Sequence, residues 1–510
     1  MPSSTSRIAK NTLLLYFRQI LIMLVSLYTV RIVLNVLGAE DYGTYNVVAG
    51  VVTMFGFLSG AMATASQRYF AFDLGKQDYE HLKTTFSVTF QIYVLLAVVI
   101  AVLAETVGLW FVMNKLVIPP ERLSAAIWIY QAAVVSFLLT LITTPYMASI
   151  IAHENMNIYA YVSIVEAVLK LAIVFLLQVL LFDKLVLYGF LLMAVSFIIT
   201  TIYRVYCRKH YVECRFQFVK DKALFKEIVS YSGWNLFGHA STVLKNQGVS
   251  IVINLFFGTV VNAAQGIANQ IRSAVTSFSG NFMQAVKPQI VKQYAAKNYD
   301  ELWKIVFWGC KTSYFLILIA VFPLFSNLDY ILTLWLKNVP EYTVVFVRLL
   351  FIETLVESIS LPMATVNQAT GKIALYQAII GVVVILNLPL SYLALRYGCQ
   401  PYTIYVIGII LMLGLVFVRL GFLKRVEGFS IKAIFNAVFI RVILITAILV
   451  VANYYLNLSK ETMATFILDI SIKVFFAAFI IYFLGLTRME RQSIINIVRK
   501  KIKPSNNSSK

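Results

Sequence analysis

Fourteen runs of apolar residues, each at least about 18 long, recur along this chain, and a run of that length has one main physical use. About 20 helical residues cross the ~30 Å hydrocarbon core of a bilayer with every backbone polar group bonded inside the helix. The runs fall near 12–37, 44–67, 86–112, 124–150, 156–182, 185–206, 229–256, 264–287, 305–325, 343–368, 373–395, 402–423, 433–456 and 463–486. The fold class is therefore read as an all-α polytopic membrane protein with 14 transmembrane helices. Composition agrees: 60% of the residues are hydrophobic and 13% charged, with a mean hydropathy of +0.81, far from soluble domains. The first run follows a short basic leader, MPSSTSRIAK, but contains Arg18 and Arg31 and lacks a small-residue cleavage site. It reads as a retained helix.

The net charge of +20 is spread through short loops and helix ends, so it serves orientation better than it would serve nucleic acid. With the N-terminus inside, inner loops and tails hold 28 Lys/Arg and outer loops 6. The positive-inside rule then puts both termini in the cytoplasm. The longest outer loop, near Ser326–Thr343, is too short for a catalytic domain, and no catalytic or metal site is expected. Cys207, Cys214, Cys310 and Cys399 lack metal-ligand spacing and imply no disulfide framework. The tail "RKKIKPSNNSSK" reads as a solvated basic segment near lipid headgroups.

Shifting the sequence by about 220 residues aligns it with itself. "VRIVLNVLG" (Val30–Gly38) faces "VSIVINLFFG" (Val249–Gly258), "LSG" at 58–60 faces "FSG" at 278–280, "DYEHL" at 78–82 faces "NYDEL" at 298–302, and "PYMAS" at 145–149 lines up with "PMAT" at 362–365. Six spans repeat as six, and an even number preserves topology, so the halves are parallel repeats with a binding site expected between them. The organisation is an N-lobe of spans 1–6 (1–207), a cytoplasmic linker (208–228), a C-lobe of spans 7–12 (229–425), spans 13 and 14 (426–487) and a basic cytoplasmic tail (488–510).

The motifs "LGAEDYGTYNVV" after the first span and "SGWNLFG" opening the seventh, with twelve repeated spans plus two, resemble the polysaccharide and O-antigen flippases of the multidrug/oligosaccharidyl-lipid/polysaccharide (MOP) superfamily. The resemblance implies a MATE-like fold. It also implies movement of an undecaprenyl-diphosphate-linked oligosaccharide from the cytoplasmic to the outer leaflet of a bacterial inner membrane, in polysaccharide or lipopolysaccharide biosynthesis. Membrane lipids, a polysaccharide polymerase and chain-length machinery would be its partners. No cofactor is expected, and a proton or sodium gradient is left open as the driving force.

Ionisable groups inside a bilayer cost at least about 2.5 kcal/mol each on insertion scales, so each needs a partner or a purpose. Glu166 with Lys170, and Asp469 with Lys473, are acid-first i,i+4 pairs and read as structural. Lys311, Arg348 and Arg441 lie near span ends and are expected to snorkel. Arg31, Lys245 and Arg272 lie deeper with no acid at i±3 or i±4, and Arg18 is ambiguous between the two groups. Lys245 is about 20 Å from either end of the stretch Ser232–Gly258. Span eight repeats Gln265, Asn269, Arg272, Thr276, Ser279, Met283 and Lys287 at intervals of three or four, a single polar face. Span two repeats Asn46, Gly50, Thr53, Phe57, Gly60, Thr64 and Gln67 in the same way, and span seven Asn235, His239, Thr242 and Asn246. The substrate-binding candidates are Arg18, Arg31, Lys245, Arg272, Gln265, Asn269, Thr276, Asn235 and His239, a cationic lining for an anionic headgroup. Glu353 and Glu357, four apart in span ten, are candidate proton carriers, with pairing to an Arg or Lys of another span the equally open alternative.

Two other transport readings stand beside this one. A cation-coupled multidrug antiporter of the same fold would want acidic rather than basic excess in its cavity, and a peptidoglycan-precursor flippase shares the span number and charge pattern. A polymerase or ligase needs a large outer loop, which this chain lacks.

Overall fold

The computed structural model of the chain describes residues 4–53, 55–114, 116, 118–179, 182–336, 339–456, 462–488 and 490–492. Helices follow one another directly: α1 (Ser4–Thr53), α2 (Gly56–Lys76), α3 (Tyr79–Asn114), α4 (Pro120–Ala152), α5 (Met156–Val179), α6 (Lys184–His210) and α7 (Lys222–Ala295). Then come α8 (Tyr299–Leu336), α9 (Thr343–Ile359), α10 (Leu361–Ala369), α11 (Ala374–Arg396), α12 (Thr403–Leu423), α13 (Ile431–Tyr455) and α14 (Met463–Gly485). No strand occurs among the described residues. Among the described residues, nine of these helices are long and apolar enough to cross a membrane. The basic tail lies outside the described residues from 493 onward.

The two longest helices are each bent at one glycine. Gly38 in α1 has φ 79°, ψ 167° and Gly258 in α7 has φ 74°, ψ −165°, a region open only to a residue without Cβ. Gly38 and Gly258 are the aligned ends of the repeated segment, so the repeat is one of backbone conformation as well as sequence. Each bend separates one apolar run from the next: in α7 it leaves two limbs of bilayer length, and in α1 a long first limb and a shorter one that ends at Thr53 ahead of α2. Asp183 starts α6 by accepting from the Leu185 and Val186 amides, and Asp78 starts α3 by accepting from His81.

The chain divides into two compact units, Leu13–His239 and Met1–Thr12 with Ala240–Lys510. The first unit thus reaches past the expected linker at 208–228. The reason is visible in the linker's contacts: Gln91 on α3 donates to the Val219 carbonyl, Ser87 accepts from the Gln217 amide, and Phe216 packs on Phe90. Next to it, the Tyr69 hydroxyl of α2 donates to Glu227 at 3.0 Å. On the side poor in basic residues, Arg122 donates 2.7 Å to Asp41 and 2.6 Å to Asp183, joining the α1 bend, α4 and α6. The core of this unit includes Val48, Ala126, Ile129, Tyr130 and Leu185.

In the second unit Ile253, Ala264, Ala268, Ile317, Phe346 and Phe351 form the core. One cation read from the sequence as peripheral is buried here. Lys311, expected to snorkel, is instead 2% exposed; it donates 2.8 and 2.9 Å bonds to both carboxylate oxygens of Glu490, which follows α14. Its partner lies 179 residues away, so nothing local announced the pair. Arg419, inside the twelfth apolar run, is likewise buried, on α12, and donates to Ser360 at the break between α9 and α10. A cation there meets the carbonyl end of α9. Asp469 and Lys473, both fully buried, form the expected i,i+4 pair at 2.9 Å, and Asn327 and Ser326 of α8 complete their bonding. That pair fastens α14 to α8.

Candidate functional site

The second unit brings four of its charged residues together in one cluster. Lys245 comes from the first limb of α7, Arg272 from the limb beyond Gly258, and Glu353 and Glu357 from the last two turns of α9. Lys245 Nζ donates 2.6 Å to Glu353 Oε1, Arg272 Nη2 donates 3.1 Å to Glu357 Oε2, and Arg272 Nη1 lies 3.9 Å from the other oxygen of Glu353. Glu353 is 1% exposed. The acidic couple, unpaired on its own helix, is therefore paired across helices, which is the alternative the sequence left open. Two cations offset two carboxylates, as a buried cluster requires.

Gln265 and Asn269, two turns and one turn before Arg272 on the polar face of α7, line the same pocket with Lys245, and Asn387, Tyr405 and Gly408 complete it. Sequence reasoning did not find the last three, because none belongs to a polar stripe at helical spacing with a charged residue. The cavity is about 20 Å³, room for roughly one water molecule. The ion pairs fill the site.

The remaining candidates lie elsewhere. Thr276 turns its hydroxyl back to the Ser273 carbonyl at 3.1 Å. Asn235 and His239 belong to the first unit, where Asn235 is buried and His239 exposed. The side chain of Arg31, with those of Asn46, Thr53 and Phe57, falls outside the described residues. Arg18 stands on α1 with its guanidinium 4.7 Å over the Tyr159 ring and 3.5 Å from Ser163 Oγ. It opens on a second cavity, of about 480 Å³, whose wall also carries Glu166 and Lys170. Those two, read as a structural pair, do bond at 2.6 Å, but they line a space as well.

A family model described as "Polysaccharide biosynthesis protein" matches residues 8–293, more than half of the chain. The chain belongs to the polysaccharide biosynthesis protein family. The MatE family model also matches this family member, over residues 235–393. Among solved structures, an outward-facing multidrug resistance transporter of the MATE family of the MOP superfamily superposes with TM-score 0.71 at 13% identity, over 83% of this chain and 96% of its own. A MOP superfamily transporter from Pyrococcus furiosus, described by the reverse polarity of its binding pocket, gives 0.68 at 13% identity, over 83% and 96%. A MATE transporter from Vibrio cholerae gives 0.63 at 15% identity, over 84% and 98%. At these identities the likeness is one of fold. No curated protein matches the chain. This member of the polysaccharide biosynthesis protein family is thus a multi-pass membrane protein with the MATE-like transporter fold.

Proposed function

We propose that the protein is a flippase that carries an undecaprenyl-diphosphate-linked oligosaccharide from the cytoplasmic to the outer leaflet of a bacterial inner membrane, feeding a polysaccharide polymerase and its chain-length machinery. One observation carries the reading: within a polysaccharide biosynthesis family member, two membrane-buried cations, Lys245 and Arg272, are held by carboxylates that a ligand could replace.

A diphosphate offers the same kind of oxygen acceptors with more charge, so it competes with Glu353 and Glu357 for the two cations. A carboxylate that loses its cation in low dielectric takes up a proton from water. Headgroup binding and proton uptake are then one exchange, and release of the headgroup returns the proton. On this account the protein uses a proton gradient, with Glu353 and Glu357 as carriers. The filled cavity is the resting state of the cycle, in which the carboxylates occupy the place of the phosphates.

The test removes charge without stranding any. Lys245→Gln with Glu353→Gln replaces a buried ion pair by two amides that hydrogen-bond each other, so the protein reaches the membrane at its normal level. Export, measured as surface glycan per folded protein, falls by about tenfold or more, since a charge-assisted contact is worth about 1.5–3 kcal/mol. Full export by this double variant, with an unaltered pH profile, would refute the exchange and leave the cluster as helix packing.

A further inference from the structure

The cavity beside Arg18 is a site of different construction from the Lys245 cluster. Its volume of about 480 Å³ lies within the ~300–1,000 Å³ of small-molecule sites, against about 20 Å³ at the cluster. Its wall brings α1, α5 and α6 together. Arg18 and Gln19 come from α1, Ser163, Glu166 and Lys170 from α5, and Tyr188 from α6, with Tyr45 from the α1 limb beyond Gly38.

Three features define what fits. Two cations and one carboxylate give the wall a net positive charge, which selects an anion. An isoprenyl chain in this space would take Arg18, Glu166 and Lys170 out of water and add no polar contact to those they already make, a cost that disfavours it. Tyr45 and Tyr188 meet edge to face, with centroids 4.9 Å apart at 67°, and present ring surface of the kind that packs on the C–H face of a pyranose. The ammonium of Lys170 and the carboxylate of Glu166, 2.6 Å apart, supply the donor and acceptor that vicinal sugar hydroxyls require. Both side chains line this space and keep partial exposure, 47% and 39%.

We propose that this cavity is a sugar-phosphate site, in which Arg18 and Ser163 hold the phosphate while Lys170, Glu166 and the Tyr45–Tyr188 pair hold the attached hexose. The ligand class rests on the flippase reading, but the test does not use export. The pocket of the second unit, with room for about one water molecule, holds no sugar; here the first sugar is read as well, so this cavity sets which glycan is accepted.

Ser26, on the same wall, reports occupancy. Cys207, Cys214 and Cys310 are buried and Cys399 exposed, so Ser26→Cys in a Cys399→Ser background gives one reactive thiol in the purified full-length protein. Millimolar glucose 1-phosphate is expected to slow its alkylation by N-ethylmaleimide, and methyl glucoside or orthophosphate at the same concentration to protect far less. Arg18→Gln should raise the half-protecting concentration about tenfold or more, Arg18→Lys should restore part of it, and Tyr188→Leu should weaken protection by the sugar phosphate alone. Thr29→Cys, from the same wall, replaces the reporter if Ser26→Cys does not fold. Absence of protection, or protection untouched by Arg18→Gln, would overturn the site. Equal protection by orthophosphate would overturn the sugar assignment. The Lys245→Gln/Glu353→Gln protein should still be protected, so loss of this site and failure of the flippase reading give different results.

Discussion

Glu353 has two cations and Glu357 one, so the two carboxylates are not equivalent. Buried pairs of this kind punish the loss of one partner far more than the loss of both, because the survivor keeps its desolvation cost without compensation. The Asp469–Lys473 pair, fully buried and away from any cavity described above, isolates that effect. Lys473→Met should destabilise the purified protein by about 3–5 kcal/mol, and Asp469→Leu added to it should recover most of the loss. Thermal unfolding in detergent measures both. A double variant no more stable than the single would mean that Asn327 and Ser326, rather than the charges, hold α14 in place. Such pairs were legible where partners share a helix, as with Glu166–Lys170. They were not where the partner is distant: Lys245 finds its acid 108 residues on and Arg272 85 residues on, with no periodicity to connect them.

At the scale of elements, the bilayer makes helix lengths readable and the repeat makes bends readable. "VLG" and "FFG" ended the aligned segments, and both glycines take the same positive-φ conformation. Neither has an atom within 4 Å of where a Cβ would stand. Space is therefore no obstacle to Gly258→Ala; the backbone is, at about 1–3 kcal/mol. The substitution should straighten α7, move Arg272 away from Glu353 and Glu357, and lower both melting temperature and export. Gly266→Ala, on the same helix and also unobstructed, should do neither. Equal behaviour of the two variants would deny the bend its role. The break between α9 and α10 gave no comparable signal. Pro145 and Pro362 are matched in the repeat, yet α4 runs on through Pro145 while the chain breaks at Ser360, where Arg419 receives the helix end.

For the whole molecule, the distribution of charge across the membrane predicts accessibility. Asp41, at the outer end of the first span, is held by Arg122 and 8% exposed, which makes it a poor reporter. Glu121, Glu341 and Lys220 are exposed and serve better. In sealed cells, single cysteines at 121 and 341 should react with an impermeant maleimide and one at 220 should not. Labelling at 220 without permeabilisation would invert the orientation. The architecture of spans and repeat was open to sequence reading because a bilayer imposes length and topology on any chain that crosses it. The grouping into units was not, because the linker's attachment to α3 depends on side chains such as Gln91 and Phe90 that look like any others.

The bond between Lys311 and Glu490 has a consequence for how the molecule is made. Synthesis delivers α8 to the membrane 179 residues before it delivers the carboxylate that neutralises its cation. For that interval a nascent chain carries an ammonium with its permanent counterion still on the ribosome. Only release of the segment after α14 closes the account, so a chain cut short before Glu490 keeps an open charge in its core, a mark by which quality control could distinguish unfinished protein from finished.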